Sequence, residues 1–154
     1  MMNLQRILHP TDFSEHAAHA LRYACELADR FDAELHLVHV LEVHVSSTPQ
    51  FGMGLALPTN VHESEEDVLR GLQQLLEPEW AASHRIARAA LQGSPFVEII
   101  RYAREHEIDM VVLSTHGRTG LAHMLMGSVA ERVVRKSPCP VLTVRPEGHQ
   151  FVMP

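Results

Sequence analysis

The sequence has few of the features that mark secreted proteins and membrane proteins. Two cysteines, Cys25 and Cys139, occur among its 154 residues, share no motif spacing and lie in apolar segments. We therefore expect reduced thiols in the core of a cytoplasmic protein. No apolar run approaches the ~18 residues of a membrane helix, and the first residues lack the long apolar region of a signal peptide. We expect no membrane partner.

Positive charge is also scarce. Lys and Arg total 13 against 19 Asp and Glu, which gives a formal net charge of −6, and no basic run is longer than Arg135-Lys136. Binding to a nucleic-acid backbone needs clustered cations, so we expect no nucleic-acid partner. Hydrophobic residues make up 45% and charged residues 21% of the chain, which is typical of one globular domain. We place this domain at residues 1–146, followed by a tail at 147–154.

Several enzyme signatures are missing. The chain contains no G-x-x-x-x-G-K-[ST] loop, no G-x-G-x-x-G after its first strand, no G-x-S-x-G elbow and no His-x-Gly-His motif. The sequence also shows no pair of acidic residues positioned to hold Mg²⁺ and activate water. The sequence therefore predicts no catalytic residues.

What the chain does contain is an alternation of short apolar runs with helical patterns. We predict five strands, at residues 6–9, 34–41, 85–91, 108–113 and 141–144. The first helix has an apolar stripe from Ala17 to Phe31, and Asp12 and Glu15 have the spacing of a capping box at its start. Three more helices are predicted at residues 61–77, 95–106 and 128–137.

Two of these helices have clear signals for where they start or end. Ser94 and Pro95 suit the N-cap and the first helical position of the helix at 95–106. Pro78 should end or kink the helix at 61–77. Four leucines of that helix are expected to face inward: Leu69, Leu72, Leu75 and Leu76.

Strands that alternate with helices indicate parallel pairing and right-handed crossovers. Ligands of such sheets bind beyond the carboxyl ends of the strands, where the strand order reverses. Two segments are candidates for that crevice, namely Pro10-Thr11-Asp12 after the first strand and the segment from Ser114 onward after the fourth. The long loop at 42–60 has the length of a functional lid or mobile segment.

The segment 114–128 has the character of a binding loop. Gly117, Gly120 and Gly127 permit close approach of a ligand to the backbone. Ser128 and Glu131 have capping-box spacing at the start of the last helix, and a helix N-terminus suits a phosphate group. The same residues would also serve a plain tight turn with an ordinary cap, so local chemistry alone leaves both interpretations open.

Twelve histidines raise the question of a metal site. His16 and His19 have a helical spacing that is compatible with metal ligation, but no third ligand is near them in sequence. His36 and His39 should point to opposite faces of a strand. We interpret these four as surface or core residues, and His116 as an orienting residue of the loop, so no metal ligands are predicted.

Four motifs together resemble the universal stress protein family. They are residues 7–14 (ILHPTDFS), 112–120 (VLSTHGRTG), 127–134 (GSVAERVV) and 138–144 (PCPVLTV). The resemblance covers nearly the whole chain apart from the loop at 42–60 and the tail. It implies a three-layer, doubly wound α/β fold with a five-stranded parallel sheet in the order 3-2-1-4-5. This fold is Rossmann-like and similar to the adenine-nucleotide α-hydrolase-like domains.

One branch of that family binds ATP through a pattern of Gly, two residues, Gly, nine residues, Gly and then Ser or Thr. Gly117, Gly127 and Ser128 match this pattern, whereas Ser114 stands where the first glycine is expected. The resemblance implies ATP as the ligand, alone or with Mg²⁺ or Mn²⁺. It implies contacts to the base or ribose from Asp12, and a pocket shaped by Pro10 and Thr11. The other implied contacts are Val40 and Leu113 at the adenine, and Gly117, Gly127, Ser128, Val129 and Ala130 at the phosphates.

The resemblance also implies a homodimer. The strand at 141–144 would pair with its copy across a two-fold axis, which covers an apolar edge that proteins rarely leave exposed. Three functions stay open at this point. The chain is an ATP-binding stress-response regulator with an unknown protein partner, a nucleotide-independent dimeric scaffold, or a slow ATPase in which Arg118 is the loop's one cation.

Overall fold

The computed structural model describes residues 4–42, 64–116 and 126–145. These residues form five strands: β1 (Arg6–Pro10), β2 (Glu34–Leu41), β3 (Ile86–Gln92), β4 (Met110–Ser114) and β5 (Val141–Val144). They also form five helices: α1 (Glu15–Phe31), α2 (Glu65–Gln74), α3 (Pro78–Ser83), α4 (Pro95–Glu105) and α5 (Ser128–Lys136). Every strand lies within two residues of its predicted bounds. The loop at 42–60 beyond Glu42, Gly117 and the tail at 147–154 lie outside the described residues.

The five strands form one parallel sheet in the order β3-β2-β1-β4-β5. The predicted fold class and strand order are therefore confirmed. The chain adds strands outward on one side of β1, and then crosses over to add β4 and β5 on the other side. The reversal lies between β1 and β4, which are hydrogen-bonded neighbours.

Side chains alternate between the two faces of the sheet and build a separate core on each. Ile7 and Leu35 pack with α1 and α2 on one face, while Leu8 and Val111 pack with α4 and α5 on the other. All four side chains are fully buried. Burying a side chain of this size stabilises the fold by about 1.5–3 kcal/mol, so the two cores hold the sheet between two helical layers.

The predicted helix at 61–77 is two helices. α2 ends at Gln74, and Pro78 occupies the first position of the short helix α3 instead of only ending the preceding one. Proline suits that position because the first helical residue needs no N–H donor. Leu72 and Leu76 are buried as predicted, Leu69 and Leu75 are only partly buried, and Val68 is a core residue that the prediction missed.

The start of α1 also differs from the prediction. Ser14 is the N-cap, and its hydroxyl accepts a hydrogen bond from the backbone N–H of Ala17 at 3.2 Å. The predicted capping box of Asp12 and Glu15 was wrong because Glu15 is already the first helical residue. Asp12 precedes the N-cap by two residues, and its carboxylate accepts a hydrogen bond from the Ser14 hydroxyl. Among the helices of the described ranges, none is long and apolar enough to cross a membrane.

Candidate functional site

The candidate site lies at the carboxyl edge of the sheet, where β1 and β4 end side by side. The register pairs Ile7 with Met110 and Leu8 with Val111. Continued along both strands, it sets Thr11 beside Ser114. From this point β1 leads to α1 on one face, and β4 leads towards α5 on the other. This is the switch point at which doubly wound sheets bind ligands.

The turn after β1 is held by its own side chains. The Thr11 hydroxyl accepts a hydrogen bond from the Phe13 N–H at 3.0 Å, and Asp12 Oδ1 accepts one from the Ser14 N–H at 3.0 Å. The Ser14 hydroxyl also donates to Asp12 Oδ1 at 2.5 Å. Phe13 has a φ of +61°, a conformation that a bulky residue rarely adopts. The turn is therefore a preorganised element that fixes the position of the Asp12 carboxylate.

Packing beneath this turn explains how Phe13 keeps that conformation. Its ring lies 4.8 Å from the ring of His39, centroid to centroid. A methyl group at Gly71 of α2 would approach the same ring to 3.1 Å. His39 Nδ1 donates a hydrogen bond to the Thr11 carbonyl at 2.8 Å. Sequence reasoning missed the supporting roles of Phe13, His39 and Gly71, although a glycine inside a predicted helix was a usable signal.

The end of β4 is joined to both α5 and β5. The Thr115 N–H donates to the Val144 carbonyl at 2.9 Å, and the Gly127 N–H donates to the Thr115 carbonyl at 2.6 Å. Ser114 Oγ accepts a hydrogen bond from the His116 N–H at 3.2 Å. These bonds hold the first residues of α5 against the carboxyl edge of β4.

The N-terminus of α5 has a backbone cap and no side-chain cap. Gly127 is the N-cap, and because it has no side chain it makes no side-chain hydrogen bond to the first turn. The predicted capping box of Ser128 and Glu131 was wrong because Ser128 is the first helical residue, one position too late to cap. The first-turn N–H groups have no partner within the helix, and together with the helix dipole they favour an anion.

Apolar residues complete the site on the α5 side. Val40, Leu113 and Ala130 are buried in the same cluster, and Val129 is partly buried against it. The residues predicted from sequence at the ends of β2 and β4 and in the first turn of α5 thus belong to one apolar cluster. Gly117 is the one predicted site residue outside the described part of the chain.

His9 lies in β1 directly before the site. Its side chain is fully buried, and Nδ1 donates a hydrogen bond to the Val112 carbonyl at 2.9 Å. Burial lowers the pKa of His9 to about 4, and this outweighs the opposing effects of the Val112 hydrogen bond and of nearby Asp12. His9 is therefore neutral at pH 7 and adds no charge beside the site.

Both cysteines are free, as expected. Burial raises the pKa of Cys25 to about 12, and burial also raises the pKa of Cys139. Neither thiol is ionised at neutral pH, which makes both poor nucleophiles. Within the described ranges, no group of three or more His, Cys, Asp or Glu side chains could hold a metal ion.

Solved structures share this architecture. The protein MJ0577, solved as a hypothetical protein, has a TM-score of 0.75 at 24% identity, and the match covers 96% of this chain and 100% of that one. A universal stress protein in complex with cAMP has a TM-score of 0.64 at 19% identity over 93% and 98% of the two chains. A universal stress protein from Archaeoglobus fulgidus in complex with dAMP has a TM-score of 0.55 at 22% identity, with coverage of 93% and 98%.

Sequence relatives lead to the same group. Universal stress protein MJ0531 of Methanocaldococcus jannaschii is 34% identical over 142 residues, which cover 92% of this chain and 82% of that one. Universal stress protein YxiE of Bacillus subtilis is 32% identical over 145 residues, with coverage of 91% and 98%. The model of the universal stress protein family matches residues 3–145. The chain therefore belongs to the universal stress protein family.

Proposed function

We propose that the protein binds an adenine nucleotide, ATP in the first instance, at the switch point between β1 and β4. The observation that carries this proposal is the α5 N-terminus. It has no side-chain cap and is held by the hydrogen bond from Gly127 to Thr115 on the same edge as the Asp12 turn. A helix start in that setting suits phosphate, and a fixed carboxylate nearby suits the hydroxyls of a ribose or the amine of a base.

The residues of this edge fit the parts of ATP. Asp12 would bind the base or ribose side, in a pocket that Pro10 and Thr11 shape. Val40 and Leu113 offer buried apolar surface for the adenine ring. The backbone N–H groups of the first turn of α5 would bind the phosphates, which bring the negative charge that this turn favours: Ser128, Val129 and Ala130. Gly117 and Gly127 would allow close approach, and Mg²⁺ or Mn²⁺ would accompany the phosphates.

The backbone at Gly127 supports a ligand-binding role for this glycine. Its φ of −66° and ψ of 152° are angles that any residue adopts. Glycine is therefore not needed there to form the turn. Absence of a side chain would instead matter for a phosphate group that approaches the first turn of α5. The family relatives solved with cAMP and dAMP support the choice of an adenine nucleotide.

The proposal predicts that Gly127→Val abolishes nucleotide binding without unfolding the protein. The variant keeps acceptable backbone angles but places a branched side chain at the first turn of α5. Glu77→Val is the matched control, because Glu77 is also an N-cap without a side-chain hydrogen bond, with φ −59° and ψ 132°. Calorimetric titration with ATP should give wild-type affinity for Glu77→Val and at least a ~100-fold loss for Gly127→Val, as expected when ~3 kcal/mol of binding energy is removed.

Mass spectrometry of nucleotide released from fresh protein would identify the preferred ligand among ATP, AMP and cyclic nucleotides. Wild-type protein that carries no nucleotide and shows no heat with any of them would contradict the proposal. Ser114→Gly adds a second test, because it introduces glycine at the position where this chain departs from the family pattern. Binding that occurs only in Ser114→Gly would support the nucleotide-independent scaffold instead.

We further propose that nucleotide occupancy acts through a homodimer and thereby controls binding of a regulatory partner. The α5 N-terminus and the edge strand β5 are connected through one residue, since the Thr115 backbone bonds to both Gly127 and Val144. A ligand that orders the start of α5 would therefore act on a residue bonded directly to β5. Nucleotide-dependent dimerisation in sedimentation experiments is the expected result.

A further inference from the structure

The glycine of α2 packs against the turn that carries Asp12. Gly71 lies inside the helix and has a helical backbone, outside the left-handed region that favours glycine. Alanine is a better helix former than glycine at such a position. The backbone therefore gives no reason for glycine at residue 71, so the reason lies in the packing around it.

The packing partner of Gly71 is the ring of Phe13. A Cβ atom at residue 71 would lie 3.1 Å from Phe13 Cε1 and 3.2 Å from Phe13 Cζ, closer than the ~3.5–4.0 Å at which carbon atoms pack best. The ring also lies 4.8 Å from the ring of His39, centroid to centroid, near the lower end of the ~4.5–7 Å range of aromatic pairs. Glycine at residue 71 therefore leaves the ring the space that it occupies.

The helix α2 is anchored and cannot easily retreat from this ring. Val68 and Leu72 are 2% and 0% exposed and belong to the core between the sheet and this helical layer. Because core side chains are closely packed, a shift of the whole helix would disturb these contacts. A methyl group at residue 71 would therefore displace the Phe13 ring rather than α2.

The turn itself is fixed at both ends. The Thr11 N–H donates to the Val38 carbonyl at 2.9 Å, and Ser14 is the N-cap of α1. Only residues 12 and 13 lie between these two points. The backbone next to the Asp12 carboxylate would therefore take up a movement of the Phe13 ring, and Asp12 Oδ1 accepts the hydrogen bond from the Ser14 N–H.

We propose that Gly71 is a positioning residue of the nucleotide site, which acts through Phe13 to hold the Asp12 carboxylate in its binding position. This inference rests on the proposed function for the identity of the ligand. It makes α2 a support of a site whose candidate ligand contacts all lie in other elements. A hydrogen bond to a charged group contributes about 10-fold or more in affinity, and a displaced carboxylate loses that contribution.

The first test uses nucleotide-free, full-length protein. In Gly71→Ala the amide hydrogen of Ser14 should exchange at least ~10-fold faster than in the wild type, because displacement of the turn weakens its bond to Asp12. Core amides of β2 should keep their wild-type rates, which separates a local effect from a loss of overall stability. Gln73→Ala is the matched control, since Gln73 is exposed on the same helix. Wild-type exchange at Ser14 in Gly71→Ala would overturn the proposal.

The second test measures ATP affinity by calorimetry. Gly71→Ala should bind ATP about 10-fold more weakly than the wild type, and Gln73→Ala should keep the wild-type affinity. In an Asp12→Ala background, Gly71→Ala should have no further effect, because the carboxylate on which it acts is gone. An equal loss of affinity in both backgrounds would contradict action through Asp12.

Phe13→Leu tests the route from α2 to the turn. Leucine lacks the Cε1 and Cζ atoms that the new methyl group would meet. The double variant of Phe13→Leu with Gly71→Ala should therefore bind ATP as tightly as Phe13→Leu alone. A further loss of affinity in the double variant would show that Gly71 does not act through the Phe13 ring.

The two kinds of measurement distinguish failure of this inference from failure of the proposed nucleotide function. Faster exchange at Ser14 in Gly71→Ala, together with no ATP binding by the wild type, would contradict the nucleotide function and support the positioning of Asp12. Equal ATP affinity of the wild type and Gly71→Ala would contradict the positioning role alone.

Discussion

At the scale of single residues, burial lowers the pKa of two histidines of the sheet, His9 and His36. His9 has no exposed surface, and its Nε2 has no hydrogen-bond partner among the residues that the structure describes. A proton on Nε2 would be a buried charge, which is why the pKa of His9 falls to about 4. Burial also lowers the pKa of His36, where Glu34 opposes and His106 and Arg6 reinforce the effect.

Acid is therefore expected to destabilise the protein through His9. Between pH 6.5 and 4 the unfolded chain binds a proton at this residue and the folded chain does not, so stability is complete above pH 6.5 and falls as the pH decreases towards 4. From pH 7 to pH 5 the loss from His9 is about 2 kcal/mol. Urea unfolding at pH 7 and at pH 5 measures this loss of stability.

His9→Asn isolates this contribution. Asparagine can still donate to the Val112 carbonyl but does not titrate. We expect a lower stability at both pH values, because the side chain is smaller, and a pH-dependent loss that is about 2 kcal/mol smaller than in the wild type. His36, whose pKa is also lowered by burial, contributes to the loss that remains. Identical pH dependence in the two proteins would refute the role of His9.

At the scale of the secondary-structure elements, helix starts at the carboxyl edge are built in different ways. Ser14 caps α1 through its side chain, whereas Ser94 caps α4 without a side-chain hydrogen bond. α5 begins at Gly127, which has no side chain at all. The side-chain cap of α1 includes the Asp12 carboxylate, so this helix start and the candidate site share one hydrogen-bond network.

The two serines form a matched pair for measuring that network. Ser14→Ala should lower the free energy of unfolding by about 1–2 kcal/mol, because it removes both the cap and the partner of Asp12. Ser94→Ala should cost less than about 0.5 kcal/mol, since only the backbone cap exists there. Denaturant unfolding of nucleotide-free protein gives both values. Equal losses would mean that the Ser14 hydroxyl does not stabilise α1.

At the scale of the whole molecule, β5 is the edge strand next to which a second chain would pair. The Val111 N–H donates to the Pro140 carbonyl and the Thr115 N–H donates to the Val144 carbonyl. Backbone groups of a strand alternate in direction. The backbone groups of residues 140, 142 and 144 therefore bond to β4, while the backbone groups of Val141 and Thr143 point away from the sheet. Leu142 adds an exposed apolar side chain.

The homodimer expected through residues 141–144 can be tested at Thr143. Thr143→Pro removes an outward N–H without breaking the pairing with β4, and edge strands tolerate such a proline. With ATP present, we expect the wild type to sediment as a dimer and Thr143→Pro as a folded monomer. Thr143→Val retains the N–H and should remain dimeric. A dimer that persists in Thr143→Pro would exclude this edge as the interface.

Much of the candidate site could be placed on the fold from the sequence because its residues lie at the ends of strands and helices, which local sequence signals mark. Pro10 to Asp12, Ser114 and Ser128 each adjoin a strand or helix boundary, and a parallel sheet brings the carboxyl ends of its strands to one edge. The helix caps were predicted less well. The capping-box spacing of Asp12 with Glu15 and of Ser128 with Glu131 is real, but each pair lies out of step with the helix start by one or two residues.

The alternation of apolar runs with helical patterns determined the strands, their parallel pairing and the two-sided core, because a strand buried on both faces has a largely apolar sequence, as β2 does. Only the tertiary structure decided which distant side chains meet. Phe13 packs between His39 and Gly71, and His16 approaches His116, which is 100 residues later in the chain. Such contacts depend on how α1 and α2 pack on the sheet, and no local periodicity encodes that packing.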